Sequence, residues 1–492
     1  MSLLRSIMFV GTCSDAGKSI INTAFCRIFK QDGYHPAPFK AQNMSLNSYS
    51  TPDGLEIGRA QAVQAEACGI LPESDMNPVL LKPTNEQCSQ VVLNGKPVGN
   101  MSAKEYFMSN NKAELFNQAF AAYERLRARY SPIVLEGAGS ISEINLRERD
   151  ITNMRMALRT GAATYLVADI DRGGVFASVY GSIALLSAEE KKLIKGIIIN
   201  KFRGDISLFD EGKKIIHELT GVPVVGVIPY FKDIYIEEED SVSLETKNTK
   251  AGSGKINVAI VLLKRLSNFT DFSVLERDER FHAYYTNNVE EIGKADIIIL
   301  PGTKNTISDL QNIRANGIAE AIIRAHKEGK KVIGICGGYQ MLGARIEDPD
   351  QIEGSTTAIP GLGILPLVTL MEPEKVTRQD QFKFRNHPET CKGYEIHMGK
   401  TTLLDGAQES PLNLLHDGRK EGYLLNNKCW GSYLHGILDN DVVLNELAEG
   451  LTQATPTTFN YTDFKNQQYD KLADHVRACV DLPYIYSTLK TK

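Results

Sequence analysis

Residues 7–19, Ile-Met-Phe-Val-Gly-Thr-Cys-Ser-Asp-Ala-Gly-Lys-Ser, constrain this chain more than any other stretch. Ile7 to Val10 read as a buried strand, Gly11 to Ser19 as a loop of small residues, and Ile20 to Lys30 as an amphipathic helix. A strand, a glycine loop, Gly-Lys-Ser and a helix form the order of a phosphate-binding loop. Backbone N–H groups at the helix start face the anion, and the helix dipole favours negative charge. In such a loop Lys18 reaches the terminal phosphates and the Ser19 hydroxyl ligates Mg²⁺. The spacing is not the strict G-x-x-x-x-G-K-[ST] form, because Thr12 stands where the first glycine belongs and Gly11 comes one residue early. Thr12, Asp15, Gly17, Lys18 and Ser19 are the candidate ATP contacts of this loop.

A chain of 492 residues holds roughly two to four domains. Its net charge of −5 gives no electrostatic case for nucleic acid or an anionic membrane. No apolar run approaches the roughly 18–20 residues of a membrane span. Arg5 is followed by only a short apolar run before the glycine loop, so no signal peptide is expected. The eight cysteines are scattered without a Cys-x-x-Cys pair, which points to a reducing cytoplasm rather than a disulfide framework.

Along the first half, strands alternate with helices, predicting a largely parallel sheet covered on both faces. Tyr34 to Phe39 is a second strand, ending in Lys40-Ala-Gln-Asn-Met-Ser-Leu-Asn-Ser. A lysine at a strand's carboxyl end lies on the ligand side of such a sheet. Residues 58–70 read as a helix, as does about 103–130. Pro132 to Glu136 is a strand ending in a carboxylate and a Gly-Ala-Gly turn, where Mg²⁺ is the natural partner for Glu136 beside a phosphate loop. Ala163 to Ala168 ends in Asp169-Ile-Asp171-Arg-Gly-Gly, and Lys195 to Ile199 ends in Asn200-Lys201, where Asn200 is a candidate for the nucleotide base. Pro223 to Pro229 is the last strand of this half. Lys40 and Asn200 join the ATP candidates. Ser19 and Glu136 are the metal candidates, and Asn43, Asp169 and Asp171 are candidates around the substrate.

Residues 237–255 are charged, then small and polar, and read as a linker between a domain at 1–236 and a second at 256–492. In the second domain Ala295 to Leu300 meets Pro301-Gly302-Thr303, a helix runs near 308–328, and the strand Lys331 to Ile335 enters Cys336-Gly337-Gly338-Tyr339-Gln340. A cysteine between a buried strand and a helix, followed by glycines, has the form of a nucleophile elbow. The helix start favours the thiolate. The N–H of Gly337 and one from the Gly302–Thr303 turn are placed to form an oxyanion hole. Of nine histidines, His435 in Ser-Tyr-Leu-His-Gly is the candidate base, with His397 second. Asp439 and Glu395 are candidate partners for it, and helices in the tail from about 440 to 490 are expected to pack against this domain.

Cys336 in Gly-Ile-Cys-Gly-Gly-Tyr-Gln-Met-Leu-Gly with His435 in Ser-Tyr-Leu-His-Gly resembles the class I glutamine amidotransferase domain. Position 437 is Ile where the usual member carries Glu, as in the cobyric acid and cobyrinic acid a,c-diamide synthase branch. The N-terminal half resembles the dethiobiotin synthetase-like ATPase fold. Lys40-Ala-Gln-Asn-Met-Ser-Leu-Asn, Met76-Asn-Pro-Val-Leu-Leu-Lys-Pro and Asp169-Ile-Asp-Arg-Gly-Gly-Val-Phe resemble the cobyric acid synthase family over essentially the whole chain. The resemblance implies two doubly wound α/β domains, the first a P-loop sheet. It implies ATP- and glutamine-dependent amidation of four propionates of adenosylcobyrinic acid a,c-diamide, with Mg²⁺. The alternative is the sister a,c-diamide synthase reaction. Partners are then a corrinoid and L-glutamine, and ammonia passes between the domains.

Overall fold

The apolar runs at 7–10, 133–135 and 163–168 are continuous rather than alternating, the pattern of strands covered on both faces. In a computed structural model describing residues 3–84, 88–102, 112–237, 244, 247–451 and 459–490, these runs lie side by side. They belong to a six-stranded sheet in the order Val224–Pro229, Ile194–Phe202, Ala163–Asp169, Ile7–Gly11, Ile133–Glu136, Ala37–Phe39. Every pairing is parallel. All the carboxyl ends therefore share one edge, which gathers Gly11, Lys40, Glu136, Asp169 and Asn200. Successive side chains point to opposite faces. Ile7 and Phe9 enter one core, Met8 and Val10 the other. A smaller sheet of Gln42–Met44, Val79–Pro83, Cys88–Leu93 and Lys96–Ser102 follows the loop after Lys40. Arg59–Cys68 is helical as expected. The helix expected from 103 is seen as Lys112–Arg127, and 103–111 lie outside the described residues.

Contacts divide the chain into two units, one of residues up to 44, 57–237 and from 462 on, the other of 45–56 and 238–461. This differs from a division at 237–255, of which 238–243 and 245–246 lie outside the described residues. The tail differs most. Asp441–Ala448 stays with the second unit, but Tyr461–Arg477 and Leu482–Leu489 cover the first. Tyr469, Leu472, Ala473 and Val476 stand at helical spacing on one face and enter the core of Ile7 and Phe9, joined by Ile485 and Leu489. Arg27 grips Asp470 with two hydrogen bonds, at 2.7 and 2.9 Å. That face of the parallel sheet needs a cover, and the tail supplies it.

The second unit has a sheet in the order Phe281–Thr286, Ile256–Val261, Ile297–Leu300, Lys331–Ile335, Cys429–Ser432, Tyr423–Asn426, parallel except at the last edge. The helix expected near 308–328 is two, Thr306–Ala315 and Ile318–Lys327, broken at Gly317 with φ +80°. A second sheet is built on the long hairpin Leu367–Phe384 and Cys391–Leu403, and it takes Leu434–His435 as a further strand.

Candidate active sites

Cys336 leaves the strand Lys331–Ile335 with φ +53° and ψ −112°, outside the regions favoured by a non-glycine residue. That turn points the sulfur off the sheet edge at the start of helix Gly337–Leu342. It is fixed by the Cys336 N–H donating to Ser432 O (2.8 Å) and the Gln340 N–H to Cys336 O (3.1 Å). The glycines are needed for approach. A Cβ on Gly338 would run into the Leu300 carbonyl, and one on Gly337 would lie 2.8 Å from the Thr303 methyl and 3.2 Å from its nitrogen. Gly337 thus lies against the Thr303 amide, the two positions expected to receive an oxyanion. Thr303 is held by its hydroxyl, which donates to Asp309 (2.5 Å) and Arg265 O (3.1 Å).

His435 is buried at the end of its short strand. A Cβ on Gly302 would sit 3.3 Å from its Cε1 and 3.5 Å from Cys336 Cβ, so the three residues converge. His435 Nδ1 lies 2.6 Å from Asp271 Oδ2, and the Gly436 N–H donates to the other oxygen at 3.1 Å. Burial opposes a charged imidazole here. The charges of the Asp271 carboxylate and the nearby Cys336 sulfur outweigh it and raise the pKa well above the ordinary value.

Asp271 replaces both carboxylates expected from the sequence. Glu395 instead pairs with Arg378, and its pKa is pushed up to about 7, chiefly by burial. The carboxylate paired with His435 is Asp271, not Asp439. One signal was available, since Asp271 follows the carboxyl end of Ile256–Val261, on the ligand edge of the sheet. His397 is stacked on Tyr433 with ring centres 3.7 Å apart, and its Nδ1 faces Gly399 O at 3.2 Å. Burial pushes its pKa down to about 3, so it stays a neutral neighbour of His435.

In the other unit the phosphate loop has the expected form. Helix Lys18–Gln31 starts from Gly17 at φ +94°, where a Cβ would also collide with the Asn200 amide. Asn200 Nδ2 donates to Ala16 O at 2.9 Å, so it braces the loop. Lys18 Nζ folds back onto Cys13 O (3.1 Å) and Gly139 O (2.9 Å), and burial lowers its pKa. Ser19 Oγ donates to Glu136 Oε1 at 2.8 Å, and Lys40 Nζ lies 2.9 Å from the same oxygen. Gln64, on the alanine-rich helix, donates to Glu136 Oε2 at 2.7 Å and carried no sequence signal beyond its place among alanines. Burial disfavours the Glu136 carboxylate, but Lys40, Gln64 and Ser19 outweigh it and hold its pKa below the usual range.

Asp169 and Asp171 stand on the same edge, among cations. Lys201 Nζ lies 2.9 Å from Asp169 and 2.6 Å from Asp15 O, and Arg203 holds Asp171 at 2.7 Å. Thr12 Oγ1 donates a long bond to Cys13 Sγ at 3.9 Å. Asn43 donates to Gln61 Oε1 at 3.1 Å. Beside the Glu136 turn lies a cavity of about 520 Å³ whose lining includes Gly139, Ile141, Arg155 and Leu158. The Arg155 guanidinium sits 4.2 Å from the centre of the Phe116 ring.

Among the described residues no three His, Cys, Asp or Glu side chains form a metal-binding group, and no helix is long and apolar enough to cross a membrane. A phosphate loop in one unit and a Cys-His-Asp line in the other define a nucleotide-dependent glutamine amidotransferase. Residues 7–243 match the CobQ/CobB/MinD/ParA nucleotide binding domain, and 257–443 match the CobB/CobQ-like glutamine amidotransferase domain. The chain is 71% identical over 491 residues to a cobyric acid synthase of Parabacteroides distasonis, covering 99% of each chain. It is 62% identical over 487 residues to that of Bacteroides fragilis, covering 99% of this chain and 98% of the other. At a greater distance, it is 46% identical over 504 residues to that of Syntrophobacter fumaroxidans, covering 98% of each. The chain belongs to the cobyric acid synthase family, and is an amide ligase with a glutamine amidotransferase domain.

Proposed function

We propose that the protein converts four propionates of adenosylcobyrinic acid a,c-diamide to amides, giving adenosylcobyric acid. Glutamine supplies the nitrogen and ATP activates each carboxylate. The observation that carries this reading is His435, oriented by Asp271 at 2.6 Å and converging with Cys336 on Gly302, in a chain that also carries a phosphate loop. Cys336, as thiolate, attacks the glutamine amide carbon, and the N–H groups of Gly337 and Thr303 receive the developing oxyanion. His435 gives its proton to the departing ammonia, then takes one from the water that cleaves the thioester to glutamate.

A carboxylate is a poor electrophile, because its leaving group would be oxide. Transfer of the ATP γ-phosphoryl group makes an acyl phosphate, and ammonia then displaces phosphate. Lys18 and Lys40 offset charge on the transferring group. Ser19 and Glu136 suit Mg²⁺, being two oxygen ligands 2.8 Å apart at the loop. Bound there with ATP, the ion would neutralise phosphate charge. Thr12, Asp15 and Gly17 line the phosphates, and Asn200 holds the loop near the base. Asp169 and Asp171 order the rim, and Asn43 the polar loop after Lys40. The cavity beside Gly139 is placed to take the acyl side chain and an edge of the corrin ring, with Arg155 facing a carboxylate.

The test is incubation with ATP, Mg²⁺, glutamine and cobyrinic acid a,c-diamide, followed by mass spectrometry of the corrinoid. Stepwise gain of four amides is expected, and an unchanged corrinoid would overturn the substrate assignment. Cys336→Ala should abolish glutamine-driven amidation and keep amidation from free ammonia. Lys18→Ala should abolish both, and retained activity would sink the phosphate-loop role.

A further inference from the structure

Lys40 is held to Glu136 at the phosphate loop, and Asn47 follows it by only seven positions. Yet residues 45–56 belong to the glutaminase unit. Within that unit Asn47 Oδ1 accepts the Phe269 N–H at 3.0 Å, and the Ser48 N–H donates to Asn268 Oδ1 at 3.0 Å. Both asparagines are buried, at 2% and 3% exposure, so these bonds are not traded for water. Asn268 has φ +52°, a left-handed conformation that needs outside support in a residue other than glycine. The reciprocal pair supplies that support at the first residue of the turn Phe269–Phe272, which carries Asp271.

The same segment reaches the other neighbour of His435. Tyr394 donates to Ser48 O at 3.4 Å, its ring centre lies 4.6 Å from that of Tyr49, and it stacks on His435 at 5.3 Å. Lys375 Nζ at 2.5 Å from Glu56, and Gln379 Nε2 at 2.8 Å from Ser50 O, tie the rest of the segment to the long hairpin. A short piece of chain thus touches both the turn that carries Asp271 and the Tyr394 ring stacked on the catalytic imidazole.

We propose that Asn47 is a positioning residue for Asp271: by fixing the turn that carries the acid, it holds the His435 imidazole in its working orientation. This rests on the glutaminase role proposed above.

The experiment measures glutamate release by the full-length protein, alongside ammonia-driven amidation. Asn47→Ala should lower glutaminase kcat about tenfold or more, with KM for glutamine changed less than about threefold, because imidazole orientation is lost while the binding pocket is kept. It should leave ammonia-driven amidation intact. Asn47→Asp keeps an acceptor for the Phe269 N–H and should restore kcat. Asn268→Gly removes the second bond while suiting the left-handed backbone, so it should lower kcat without unfolding the unit. Unchanged kcat in Asn47→Ala and Asn268→Gly would overturn the proposal. So would a parallel loss of ammonia-driven amidation, or failure of Asn47→Asp to restore kcat. Failure of the underlying two-site reading appears elsewhere, as glutamine hydrolysis surviving in Cys336→Ala.

Discussion

A histidine becomes a general base only when one nitrogen is committed, and at His435 that commitment is made by Asp271. Asp271→Asn keeps the size of the side chain but presents an amide that can stabilise the wrong tautomer. Glutamine-driven kcat should fall by about 100-fold or more, with KM little changed, while ammonia-driven amidation persists. Steady-state assays with the two nitrogen donors check this, and equal loss with both donors would remove Asp271 from the glutaminase line. Cys336 and His435 were legible because glycines and strand ends surround them. Asp271 was not, because it lies 164 positions from its partner, in a loop with no local periodicity. Its only mark was its position after a buried strand. Asn47 was hidden likewise, its polarity suggesting a surface loop although it is buried.

The elements that carry these residues show the same division between local and long-range information. The central strands could be read because both faces are covered and the runs are unbroken. The hairpin Leu367–Phe384 with Cys391–Leu403 carries charges at half-buried positions, which erase the alternation that would have disclosed it. The elbow helix fits because Gly338 lies against the backbone of Ile297–Leu300. Gly338→Ala forces a methyl onto a carbonyl that cannot step aside, so it should destabilise the protein by about 3 kcal/mol or more, seen in the urea midpoint. An unchanged midpoint would show that the helix is free to move.

The earlier helix Thr306–Ala315 begins on a borrowed carboxylate, where Glu353 accepts the Ile307 N–H at 2.9 Å. Desolvation there pushes the Glu353 pKa up to about 7 from 4.5. The folded protein thus holds this proton more tightly than the unfolded chain. Its contribution is most favourable below about pH 4.5 and is lost as pH rises through about 7. Glu353→Gln keeps the acceptor and removes the titration. Wild-type stability relative to the variant should decline across that window, as denaturant titrations would record. A constant difference would mean the carboxyl ionises normally.

At the scale of the whole molecule, neither unit is one run of chain. The backbone enters the glutaminase unit at 45–56, returns, enters it again at 238, and returns to the nucleotide unit for its last helices. Sequence order therefore misplaced the tail, because proximity along the chain was the only guide to which core its apolar face completes. Removing residues from 459 on strips Tyr469, Leu472, Val476, Ile485 and Leu489 from the core of Ile7 and Phe9. At about 2 kcal/mol for each buried side chain, the loss approaches about 10 kcal/mol. That compares with the roughly 5–15 kcal/mol by which a domain is stable. The truncated chain should therefore lose ATP binding and expose the nucleotide unit to limited proteolysis, while basal glutamine hydrolysis at Cys336 survives. If instead glutamine hydrolysis fails first and ATP binding remains, the tail completes the glutaminase core, as its place in the sequence suggests.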